Sequence, residues 1–118
     1  MIEFIEAREL IAGLPPEDEC LRQCGEAIRV GEARNVEPGP GRMTVCDALA
    51  TFGIRKQTAQ AAGIETCGLD SSLEQLGRRA QEEVVLLFHF ATADWYFTVF
   101  ISERDRSVIG CVRVKAPS

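Results

Sequence analysis

The stretch from Glu82 to Lys115 constrains this chain most, because three runs rich in aromatic and β-branched residues follow one another with only short polar breaks. Val84 to Phe90, Trp95 to Ile101 and Val108 to Val114 each read as a strand. Ala91-Thr92-Ala93-Asp94 and Glu103-Arg104-Asp105-Arg106 read as the turns between them. The expected product is an antiparallel meander.

Four-residue turns give the meander a register. Phe88 is expected opposite Phe97, Leu86 opposite Val99 and Val84 opposite Ile101. On the second hairpin Phe97 is expected to face Val112, Val99 to face Gly110 and Ile101 to face Val108. Alternate residues share a side, so these all fall on one face, the expected core face. The other face carries Val85, Phe100 and Ile109, then Leu87, Thr98 and Cys111, then His89, Tyr96 and Arg113. A solvated face would be polar at nearly every position, and the first two rows are not. Either the chain's own helices or another molecule must cover them. The second option makes Val85, Leu87, Tyr96, Phe100, Ile109 and Cys111 an interface with a protein target or a second copy of the chain, rimmed by His89 and Arg113.

The residues ahead of the meander read as helices. Phe4 to Ala12 is a short one, although Met1 to Ile5 could equally add an edge strand. A second is expected to begin near Pro16, with Glu17, Asp18 and Glu19 at its positive end and Cys20, Leu21, Cys24, Ala27 and Ile28 as its buried stripe. The proline- and glycine-rich run from Arg34 to Met43 reads as a long loop. Thr44 can cap a third helix reaching Phe52, Gly53 would stop it, Ile54 to Ala62 would form a fourth stopped by Gly63, and Ser71 with Glu74 would cap a fifth. The fold class is therefore α+β: one domain over residues 1–118, four to five short helices followed by a three-stranded antiparallel meander, with the helices on one sheet face.

Charge narrows the partners. Of the net charge of -5, residues 1–40 carry nine acids against four bases, which argues against nucleic acid or an anionic membrane as a partner for that third. The N-terminal acids do not suit a secretion signal and no apolar run is long enough to span a membrane, so a cytoplasmic chain with reduced thiols is expected from its five cysteines.

Candidate chemistry is sparse. Two helices hinged at Gly53 would resemble the layout of a winged helix-turn-helix, presenting Arg55, Lys56, Gln57 and Gln60 to DNA, but the local charge is barely positive. Cys20 and Cys24 lie on a helix and not on a knuckle, so they read as core residues and no metal is expected. His89 is the single histidine, and on the expected sheet it stands two strand spacings, roughly 9 to 10 Å, from Cys111, too far for proton transfer. No catalytic residue and no cofactor is expected. The Pro-Gly-Pro-Gly run lacks the lysine and helix of a phosphate loop. Asp94 and Trp95 at a turn tip could mark a recognition patch, or Trp95 could simply close the core. The reading is a small noncatalytic protein-interaction module acting through the outer sheet face, with a winged helix-turn-helix regulator or a small-ligand-binding domain as alternatives.

Overall fold

The computed structural model describes residues 2–14, 18–37 and 40–116. Pro16 and Glu17, expected at the start of the second helix, Pro38 and Gly39 in the expected loop, and Met1 lie outside the described residues. The described chain comprises α1 (Phe4–Ala12), α2 (Glu19–Arg29), β1 (Arg34–Asn35), β2 (Gly41–Thr44), α3 (Val45–Ala62), β3 (Thr66–Cys67), α4 (Leu69–Gly77), β4 (Val84–Ala91), β5 (Trp95–Ser102) and β6 (Val108–Lys115). The α+β class and the antiparallel meander are present. The sheet is wider than the meander, running β1-β4-β5-β6-β3, with β2 also paired to β4. Arg34 to Met43, expected as a loop throughout, contributes β1 and part of β2 to the free edge of β4.

The helices cover both sheet faces, a correction to the expected single layer. On one side α1 and α2 bury Ala7, Ile11, Cys20, Cys24 and Ala27 against Leu86, Phe88, Phe90, Phe97, Val99 and Ile101. On the other, α3 and α4 bury Val45, Ala48, Phe52, Leu69 and Leu76 against Val85, Leu87, Phe100, Ile109 and Val112. Alternation in β4 sends successive apolar side chains into different cores. Phe52 meets Phe100 edge-on at 4.8 Å between centroids, and Phe4 meets Phe88 at 5.3 Å in the same manner.

The helix boundaries follow local chemistry. Asp18 caps α2 by accepting from the Leu21 amide at 2.9 Å, so the helix starts at Glu19, three residues beyond Pro16, near which it was expected to begin. Thr44 caps α3 as expected, accepting from Asp47 N. Gly53 does not stop that helix, and the two expected helices are one. A single interior glycine costs about 1 kcal/mol relative to alanine, less than the burial of Phe52 beside it returns. Gly63 does end it, at φ 67°. α4 starts at Leu69 and not at Ser71, because Gly68 at φ 85° turns the chain there. A β-carbon on Gly68 would stand 2.2 Å from the Cys111 carbonyl oxygen.

The strand register departs from expectation in two ways. β4 runs one residue further than expected and leaves Thr92–Asp94 between the strands, so Phe88 faces Val99 and Leu86 faces Ile101, a two-residue change that leaves every side chain on its expected face. On the second hairpin Ile101 faces Val108 as expected, then the register slips: Phe100 faces Gly110, Val99 faces Cys111 and Phe97 faces Arg113. Ile109 is the unpaired extra residue of a bulge. Cys111 and Arg113 are thereby moved to the α1/α2 side, against expectation, and Val112 to the α3/α4 side. Gly110 sits at the bulge because α4 comes so near that a β-carbon there would be 2.7 Å from Ser72 Oγ.

Two substitutions check this architecture by urea denaturation. Phe100→Ala is expected to cost about 3 to 5 kcal/mol, since it empties a fully buried site between β5 and α3. Gly53→Ala is expected to add roughly 0.5 to 1 kcal/mol, because a β-carbon there meets nothing within 4 Å.

Candidate functional site

A groove of about 560 Å³ opens between α2 and the β4–β5 hairpin. Both walls are built locally. On α2, Cys20, Cys24 and Ala27 face the core, which turns Arg22, Gln23, Glu26 and Val30 outward along the groove. Opposite, Thr92 fixes the hairpin tip: its amide donates to Trp95 O at 2.9 Å, and its Oγ1 accepts from Trp95 N at 3.1 Å. The Ala116 amide donates to Asp94 O at 2.8 Å and ties the end of β6 to the same tip. Trp95 is therefore held at its backbone before any side-chain contact is counted.

Arg113 completes the site. Its guanidinium carbon lies 3.8 Å from the centroid of the Trp95 ring, and Lys115 Nζ lies 4.8 Å from it. An Arg113 terminal N–H donates to Gln23 Oε1, joining β6 to α2 under the groove. Arg113 Nε is shielded from solvent with no acceptor among the described residues, so the side chain depends on Gln23 and the ring face for its stabilisation. Along α2, Arg22 and Gln23 mark one end and Val30 the other, about 12 Å apart at 1.5 Å per residue. Glu26, Glu32 and Asp94 are the acids of the lining, Ala27 and Phe97 are apolar, and Val30 is 55% exposed.

The residues read from sequence as an interface are placed otherwise. Val85 and Phe100 are fully buried, Leu87 is 3% and Ile109 9% exposed, all beneath α3 and α4. Cys111 is buried on the far side, its Sγ 3.0 Å from that of Cys20. Tyr96 alone of the six is exposed. Of the expected rim, Arg113 is in the groove, while His89 stays on the α3 side, its Nδ1 3.0 Å from Thr98 Oγ1. The four residues assigned to DNA lie along one continuous helix, so no turn separates a recognition helix. Arg55 stacks over Phe52 at 4.8 Å, Lys56 pairs with Asp70, and Gln60 is exposed with Gln57. Among the described residues no group of three His, Cys, Asp or Glu side chains could hold a metal ion, and no helix is long and apolar enough to cross a membrane.

The Trp95–Arg113 pair was hidden from sequence reading by the bulge. A glycine inside an otherwise β-branched strand was the available signal. Comparison of the chain with protein-family models, with curated proteins and with solved structures yields no significant match.

Burial, and secondarily the nearby Arg55 charge, lowers the His89 pKa from its ordinary 6.5. Between the lowered value and 6.5 the unfolded chain binds a proton that the folded chain does not, so stability is expected to fall as pH drops through about 6.5. His89→Gln should flatten that part of the curve, read from urea midpoints at about pH 7.5 and pH 5.5. An unchanged slope would show that His89 titrates alike in both states.

Proposed function

We propose that this protein is a noncatalytic binding module whose ligand surface is the groove between α2 and the β4–β5 hairpin. The outer sheet face, first choice on sequence grounds, is occupied by α3 and α4 and is not available to a partner without their displacement. The observation that carries the reading is Trp95, half-buried, backbone-locked and stacked under Arg113 in the wall of an open groove. A rigid aromatic beside a guanidinium is a recurrent anchor for ligands, combining apolar area with a directional charge. The volume falls within the range of about 300 to 1,000 Å³ usual for ligand sites.

The arrangement of charges suggests the ligand class. Arg22 and Arg113 line the groove together with the acids Glu26, Glu32 and Asp94, and Ala27, Val30 and Phe97 provide its apolar lining. Such a groove suits a short peptide with free ends, its carboxylate toward the arginines and its ammonium toward the acids. About four extended residues span 12 Å at roughly 3.3 Å each.

Trp95 is the only tryptophan, so its fluorescence reports directly on the groove. Titration with a free-ended apolar tetrapeptide is expected to change the emission saturably. Arg113→Met, which keeps length and loses charge, should weaken binding roughly tenfold or more, the usual cost of removing a charge-assisted hydrogen bond. Emission that stays constant up to millimolar peptide would refute the proposed ligand class.

A further inference from the structure

We propose that Cys20 and Cys111 are a redox pair, joined by a reversible disulfide that a hydroperoxide introduces by way of Cys67. This inference is independent of the groove reading. Three of the five cysteines are buried together on the α1/α2 side of the sheet: Cys20 and Cys24 from α2, Cys111 from β6. The Sγ atoms of Cys20 and Cys111 are 3.0 Å apart, so about 1 Å of approach separates contact from the covalent S–S length near 2.0 Å. They are brought together from 91 residues apart in sequence, which makes the contact a product of tertiary structure.

A fourth thiol lies between this cluster and solvent. Cys67 is half-buried and pairs with Arg113 across β3 and β6, which makes it the diagonal neighbour of Cys111, at about 7 to 8 Å between backbones. The residue after it, Gly68, lies against both members of the pair: a β-carbon there would be 3.2 Å from Cys20 Cβ and 2.2 Å from Cys111 O. Burial pushes the Cys111 thiol well above its ordinary range, so it is protonated and shielded and does not meet the oxidant first. Cys67 does.

The steps balance. The Cys67 thiol attacks the hydroperoxide, becoming a sulfenic acid and releasing an alcohol, or water when the oxidant is hydrogen peroxide. Cys20 displaces water from that sulfenic acid to give a Cys20–Cys67 disulfide. Cys111 then attacks the Cys20 sulfur, its proton passing to the departing Cys67 sulfur, which returns to the thiol while the Cys20–Cys111 bond remains. A dithiol reductant reverses the product, taking the oxidised state on itself. Cys46, exposed on α3 across the sheet, belongs to none of these steps.

The test treats the native full chain with stoichiometric hydrogen peroxide, alkylates remaining thiols after denaturation, and maps unreduced peptides by mass spectrometry. Three alkylated cysteines and a crosslinked peptide pair containing Cys20 and Cys111, both reversed by dithiothreitol, are expected. Cys67→Ser should slow the crosslink roughly tenfold or more, as it removes the half-exposed thiol through which the oxidant reaches the buried pair. Five alkylatable cysteines after treatment, or a crosslink that leaves out Cys20 or Cys111, would overturn the pair. An unchanged rate in Cys67→Ser would overturn the route.

Discussion

The strands β4 and β5 are apolar on both faces, and this determines the rest of the structure. Leu86, Phe88 and Phe90 alternate with Val85 and Leu87, and Val99 and Ile101 with Phe100, and none of these side chains is more than 3% exposed. Two strands of this kind are stable only between two apolar layers. The chain provides both from its own helices, α1 and α2 on one side and α3 and α4 on the other. The hairpin tip at Trp95 forms a groove with α2.

The bulge at Ile109 decides what that groove contains. Had β6 kept a constant register, Val112 would face the α1/α2 side and Arg113 the α3 side. The inserted residue exchanges them and brings Arg113 over Trp95 and Cys111 against Cys20. One unpaired residue therefore positions both the cation of the groove and the second sulfur of the buried thiol pair. Gly110 permits it, since Ser72 of α4 occupies the space where a side chain would go, and the Ser72 hydroxyl donates to the Cys111 carbonyl at 3.0 Å.

Much of the fold was legible from residue patterns alone. The three long strands, the helix at Phe4–Ala12, the Thr44 cap and the Gly63 stop all follow from local propensity and are present. The errors arose where tertiary packing outweighed local signals. Gly53 reads as a break, yet Ala48, Phe52 and Ala59 share one buried side, and that continuous burial carries the helix through. The short strands β1 and β2 have no strong pattern of their own, because they are templated by the free edge of β4. The site was less legible than the fold. Trp95 and Arg113 were each noted, on opposite faces of the sheet, and only the bulge brings them together. The apolar outer face was identified correctly as needing cover, but a sequence pattern cannot distinguish cover by the same chain from cover by another.

That distinction is the most direct test of the whole account, and native-state amide hydrogen exchange measured across a wide range of protein concentration makes it. If α3 and α4 are what shield the Val85, Leu87 and Phe100 face, the amides of β4, β5 and α3 exchange only through global unfolding, with protection independent of concentration. Protection of β4 and β5 that fell on dilution, or α3 amides exchanging freely while the strands stayed protected, would mean that a second molecule covers the sheet and would contradict the account.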